Sequence, residues 1–162
     1  MTRVPQPMAE VDIRRLLAAL PAGMPVAQTV SGWATVELDR AEAALSTHAS
    51  RSNPVRSALA PEDELLGARC RLVRVGDSSL LLLEPSTEGR LAASLARFGE
   101  GPIALYAFID PSAIALLGRA GARLSATRPG PFGDQRLVLG GRWGPHLLVV
   151  EGTDAPDLAR HH

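Results

Sequence analysis

One order of elements occurs twice in this chain, and that repetition constrains the fold more than any single motif. Val30 to Leu38 alternates like a strand, and Asp39 stands where it would cap a helix running through Arg40-Ala41-Glu42-Ala43-Ala44-Leu45. Ser46 to Pro61 is poorly patterned, with Asn53-Pro54 and Ala60-Pro61, and reads as a long loop holding one short strand near Val55. Ala68–Val75 and Ser79–Glu84 read as two strands joined by Gly76-Asp77-Ser78. A linking helix follows, with Leu91, Leu95 and Phe98 as its stripe and Gly99-Glu100-Gly101 as its stop. The cycle then restarts: strand Pro102–Ile109, the Asp110-Pro111 helix start, a helix over Ile114–Gly121, and short strands at Arg123–Thr127, Arg136–Leu139 and His146–Glu151. Helices grouped with antiparallel meanders predict an α+β domain in which each half-sheet buries one face.

Before the repeat, Val11, Ile13, Leu16, Leu17 and Leu20 make one apolar stripe that Pro21 ends, a short amphipathic helix expected to pack on the sheet or on a second subunit. At 162 residues the chain is the size of one domain. The organisation predicted is an N-terminal segment over 1–29 with this helix, a domain over 30–152, and a tail over 153–162. Within the domain the modules span about 30–85 and 102–152, linked by a helix over 88–98.

Composition removes several classes of function. The 17 basic residues balance 17 acidic ones, so no net field draws nucleic acid or an anionic membrane. Every basic residue is arginine, which excludes a Schiff-base lysine. The single Cys70 cannot form an internal disulfide, suits a reducing cytoplasm and reads as a small buried hydrophobe. No apolar run approaches the roughly 20 residues that cross a bilayer. Arg14-Arg15 ahead of Leu16 superficially resembles an export signal, yet Glu10 and Asp12 precede it and Pro21 follows closely, so the segment is not expected to act as one.

At this point the residues carry a resemblance. Trp33 to Leu45 resembles the opening strand and helix of glyoxalase-like (vicinal oxygen chelate) domains. Val75-Gly76-Asp77 through Leu82-Leu83-Glu84-Pro85 resembles their third and fourth strands, and Gly99-Glu100-Gly101-Pro102 and Gly144–Glu151 their fifth and eighth. The match covers about residues 30 to 152. It implies a pair of βαβββ modules whose curved sheets face each other around one cavity. In metal-bearing members one ligand comes from each of four strands, and those positions fall here on Gly32, Leu81, Ala104 and Val149, none of which is a donor. The resemblance is therefore to a divergent member without the metal ligands, with no cofactor, whose cavity holds an organic molecule.

If those positions face inward, alternation lines the cavity with Gly32, Ala34 and Val36; Leu81 and Leu83; Ala104, Tyr106 and Phe108; and Leu147, Val149 and Glu151. Tyr106 then donates a hydrogen bond or stacks, and Glu151 orients a polar group or takes a proton. Trp143 and Arg142 fall in a glycine-rich connection at the expected mouth, while Trp33 points to the opposite face. Arg69 and Arg71 share one face of their strand and would clamp an anion if it faced the cavity, or lie on a solvated sheet face if it did not.

Two functions follow. The first is metal-independent binding of a small, largely apolar organic molecule, as sequestration or resistance. The second is a metal-independent isomerase, lyase or cyclase with Glu151 or Glu84 as general base. A homodimer in the cytoplasm is the expected assembly and location, with neither nucleic acid nor membrane as partner.

Overall fold

The computed structural model describes residues 3–140 and 144–154. The elements run α1 (Glu10–Leu17), β1 (Gln28–Ala34), α2 (Leu38–His48), β2 (Val55–Asp63), β3 (Ala68–Val75), β4 (Ser78–Pro85) and α3 (Arg90–Phe98), then β5 (Gly101–Ile109), α4 (Pro111–Arg119), β6 (Arg128–Gly130), β7 (Gly133–Leu137) and β8 (His146–Glu151). The duplicated βαβββ order is thus present, with α1 added in front and α3 between the modules.

All eight strands join one sheet in the order β2-β3-β4-β1-β5-β8-β7-β6. β1 and β5 pair antiparallel at its centre, and each has a parallel neighbour on its outer side, β4 and β8 respectively. The two modules are therefore related by an approximate two-fold axis near the Gly32–Ala104 pair. The sheet curls until its ends approach, where the Glu64 amide donates to the Pro129 carbonyl at 3.4 Å.

Alternation of side chains divides the core between the two faces of this curled sheet. The inner face carries Val30, Ala34, Cys70, Leu72, Leu81, Leu83, Ala104, Tyr106, Phe108, Leu137, Leu148 and Val150, and α3 adds Leu91 and Leu95. Outside the first module, α2 packs Leu38, Ala41 and Leu45 on Trp33, Leu80 and Leu82, so Trp33 meets a helix. Outside the second, α4 covers Leu105, Ala107, Leu147 and Val149, and Ile13, Leu16 and Leu17 of α1 pack against the same layer. The amphipathic N-terminal helix therefore docks on its own sheet.

Several local expectations change. β2 is a nine-residue strand where the sequence suggested mostly loop. It tolerates Pro61 because it is an edge strand, and its register shifts between Ala60 and Asp63. α2 begins at Leu38, and the Asp39 side chain does not cap it. Instead Glu84 reaches across from β4, its Oε2 accepting from the Leu38 amide at 2.8 Å, while Asp39 accepts from Arg71. At α4 the expected cap is present, the Asp110 carboxylate accepting from the Ser112 amide at 2.9 Å. The strand expected at Arg123–Thr127 is reduced to a single bridge, Leu124 to Val138, and β6 forms at Arg128–Gly130 instead.

Candidate functional site

Three strands bring three of the four expected ligand positions, Gly32, Leu81 and Ala104, to the middle of the barrel. Gly32 pairs with Leu81 on one side and with Ala104 on the other. A Cβ at Gly32 would stand 2.9 Å from Leu83 Cδ1, 3.1 Å from Ala104 Cβ and 3.2 Å from Tyr106 Cε2, so this glycine is required by close approach. Leu81, Leu83, Ala104, Tyr106 and Phe108 all face inward, as the alternation predicted. Val36 lies beyond the end of β1 and is exposed.

On β8 the phase is opposite to the expectation. Leu148 and Val150 face the barrel interior, whereas Leu147 and Val149 pack outward under α4. The reason is local: His146 to Val150 is buried on both faces, so the segment carries no polar–apolar alternation to fix its phase. Glu151 follows the outward parity and is half-buried at the strand end. Glu84 is also outside, held by the Leu38 amide and an ion pair with Arg69. Neither carboxylate proposed as a base faces the interior.

The same register uncovers a residue that the sequence did not single out. His146 is the β8 partner of Ala104, as Leu81 is the β4 partner of Gly32, so His146 occupies the position symmetric to Leu81. Its ring is buried, with Nε2 3.4 Å from Ser94 Oγ of α3. Burial, reinforced by the nearby Arg90 charge, lowers its pKa from 6.5 to about 4, so it is a neutral imidazole at physiological pH.

One histidine beside Gly32, Leu81 and Ala104 does not fit a divalent cation, which needs several nitrogen or oxygen donors. Among the described residues no group of three histidine, cysteine, aspartate or glutamate side chains could hold one. The donor set therefore differs from that of the metal-bearing members of the resembled family.

Two further polar groups enter the interior. Asp63, at the end of β2, is fully buried and accepts from the Leu66 amide at 2.9 Å through Oδ1 and from the Tyr106 hydroxyl at 2.7 Å through Oδ2. Burial, and then the Asp63 charge, push the Tyr106 pKa well above the usual tyrosine range, which keeps it a phenol. Its one O–H is committed to Asp63, so what Tyr106 leaves to the interior is its ring. Asp63 was hidden in sequence by the weak patterning of β2, although an aspartate three residues before Leu66-Gly67 is a turn signature.

The other is Gln135, inward-facing on β7 and fully buried, across from Val150, which in turn neighbours Phe108. An aromatic cluster also fills the interior. Phe132, on the turn between β6 and β7, sends its ring inward to meet Tyr106 edge-on at 5.3 Å and Phe108 at 5.2 Å between centroids. The interior is closed by these side chains: Leu81, Leu83, Ala104, Tyr106 and Leu148 have no exposed surface.

Cys70 also faces inward, and desolvation raises its pKa far above the thiol range, so it is not a nucleophile. Arg69 and Arg71 lie outside, where Arg69 pairs with Glu84 and Arg71 with Asp39 at 2.8 Å and Glu42 at 2.6 Å. They do not form an anion clamp in the cavity. Arg142 and Trp143, expected at the mouth, lie outside the described residues, as do His161 and His162. No described helix is long and apolar enough to cross a membrane.

No protein-family model matches the chain, and no curated protein does. Its structure is similar to that of methylmalonyl-CoA epimerase from Mycobacterium tuberculosis, with a TM-score of 0.67 at 23% identity over 88% of this chain and 98% of that one. It is also similar to a hypothetical protein from Bacillus halodurans C-125, with a TM-score of 0.60 at 16% identity over 78% and 94% of the two chains. These likenesses establish the glyoxalase-like fold, and fold alone does not assign chemistry.

Proposed function

We propose that this chain binds a small, largely apolar organic molecule inside its barrel without a metal ion. The observation that carries the reading is the wall built by Gly32, Leu81, Leu83, Ala104, Phe108, Leu148 and Val150, which offers no donor at Gly32, Leu81 and Ala104, where a metal-bearing barrel of this resemblance would present one. An apolar wall with a few fixed polar groups is the usual make-up of a small-molecule site.

Phe132 gives the way in. Its hairpin ends the sheet, β6 has only three residues, and the described backbone bond across the seam to the β2 end is the 3.4 Å contact from Glu64 to Pro129. Outward movement of β6 and the Phe132 turn, with β7 kept on β8, withdraws one ring from Tyr106 and Phe108 and leaves a slot that a flat apolar molecule fills. Elements with few ladder bonds are those that open at lowest cost.

A carboxylate-based isomerase, lyase or cyclase is not favoured, since Glu84 and Glu151 both stand off the interior. The reading is tested by calorimetric titration of naphthalene in EDTA. Saturable one-site binding with a negative heat-capacity change is expected, tightened by Phe132→Ala, which empties the slot beforehand. Absence of saturable binding to both proteins overturns the reading.

A further inference from the structure

The fully buried carboxamide of Gln135 has no hydrogen-bond partner on either Nε2 or Oε1 among the described residues. Buried polar side chains are paired in the large majority of cases, so an amide with both ends open marks a place where something is received. The group is also deliberately housed. A Cβ at Gly130, on the facing strand β6, would overlap the Gln135 carboxamide, so only glycine leaves room for it. Its ladder partners are Val150 on β8 and the exposed Arg128 on β6, beyond Val150 lies Phe108, and the next inward residue on β7 is Leu137. The buried neighbours are apolar, and none of them bonds the amide.

We propose that Gln135 is the recognition element for a planar aromatic lactam, a flat ring system with an N–H and a C=O side by side on one edge. The inference rests on the reading that the barrel interior binds an apolar molecule, and it names the molecule's chemistry. A carboxamide presents one donor and one acceptor in a plane, and the edge that answers both at once is a cis amide, which a lactam ring holds in place. The body of the ligand is aromatic because the surface uncovered when Phe132 withdraws consists of the Tyr106 and Phe108 rings. The ligand is neutral because the buried neighbours Val150, Phe108 and Leu137 provide no counter-charge and Arg128, the partner on β6, is exposed to water, so an ion inside would be unpaired and costly. Tyr106 does not compete for the edge, since its proton is held by Asp63.

Three probes of nearly the same shape separate this proposal from the reading beneath it: naphthalene, 2-quinolone, and N-methyl-2-quinolone, which lacks the N–H. Calorimetry on the full chain is expected to show 2-quinolone binding roughly 10- to 100-fold tighter than naphthalene, the gain of two hydrogen bonds in a dry site, and also tighter than N-methyl-2-quinolone, which keeps the carbonyl bond and loses the N–H one. Gln135→Leu is expected to abolish that preference, bringing 2-quinolone to the affinity of naphthalene in the same variant, and to raise the thermal midpoint, since it removes an unpaired buried amide. Equal binding of all three probes, as when Gln135 holds only an internal water, overturns the lactam assignment and leaves apolar binding standing. A preference that survives Gln135→Leu or Gln135→Met also overturns it. Binding of none of the probes overturns both.

Discussion

Tyr106→Phe is a sharp test of how the interior is held together, because it removes one oxygen and nothing else. Tyr106 and Asp63 have no solvent exposure, and their hydrogen bond of 2.7 Å links β5 of the second module to the end of β2 in the first. The void left by a hydroxyl is small, so the cost is almost wholly that of the bond. A hydrogen bond to a carboxylate contributes about 1.5–3 kcal/mol, and stranding a buried carboxylate oxygen brings the loss to about 3 kcal/mol. For a chain of this size that lowers the thermal midpoint by roughly 6–12 °C, at about 2–4 °C per kcal/mol. Urea denaturation of the wild type, Tyr106→Phe, Asp63→Ala and the double variant isolates the pair, because loss of the Leu66 contact cancels in the cycle. A coupling of about 2 kcal/mol is expected, and one below about 0.5 kcal/mol would refute the claim that this bond braces the barrel. The pH dependence has a definite sign: the folded pKa of Tyr106 is raised, so stability is kept below the unfolded value of about 10 and falls as pH rises beyond it.

Other perturbations read other parts of the account. His146 has a folded pKa of about 4 against 6.5 when unfolded, so stability is full above about pH 6.5 and declines as pH falls toward 4, by up to about 3 kcal/mol, while His146→Gln flattens that acid limb in denaturation curves taken across this range. Gly32→Ala forces a methyl against Ala104 and Leu83 and is expected to cost about 1–3 kcal/mol; an unchanged urea midpoint would contradict the close approach. Cys70 should resist a thiol reagent in the folded protein and react at the rate of unfolding, so rapid labelling under native conditions would show that it is not sealed inside.

What could be read in the sequence was whatever had one wet face or a strong punctuator. β3 and β4 follow from alternation on either side of Gly76, and α4 from Asp110-Pro111. β5 is buried on both faces, yet its inward set was obtained because the Gly-rich entry at Gly99–Gly101 anchored the register. β8 is buried in the same way but had no such anchor, and every inward residue was assigned one position off, which hid His146 and moved Val149 and Glu151 to the wrong face. Asp39 was given the cap of α2 on local grounds, while the actual donor–acceptor pair joins residues 38 and 84, a partnership no local window contains. Gln135 gave no signal because Gly133-Asp134-Gln135 is indistinguishable from turn chemistry until the register of β7 on β8 points its amide inward.

The central claim is that an apolar molecule enters the interior of this barrel unaided by a metal ion, and methyl-resolved NMR observes that interior directly. Naphthalene is titrated into the protein in EDTA while the methyl signals of Leu83, Leu148 and Val150, which face inward, are followed beside those of Leu38 and Leu45, which belong to α2 on the outside of the sheet. Saturable shifts of the inward methyls with the α2 set unmoved are predicted. Unmoved inward methyls, or shifts that occur only when a divalent cation is restored, would contradict it.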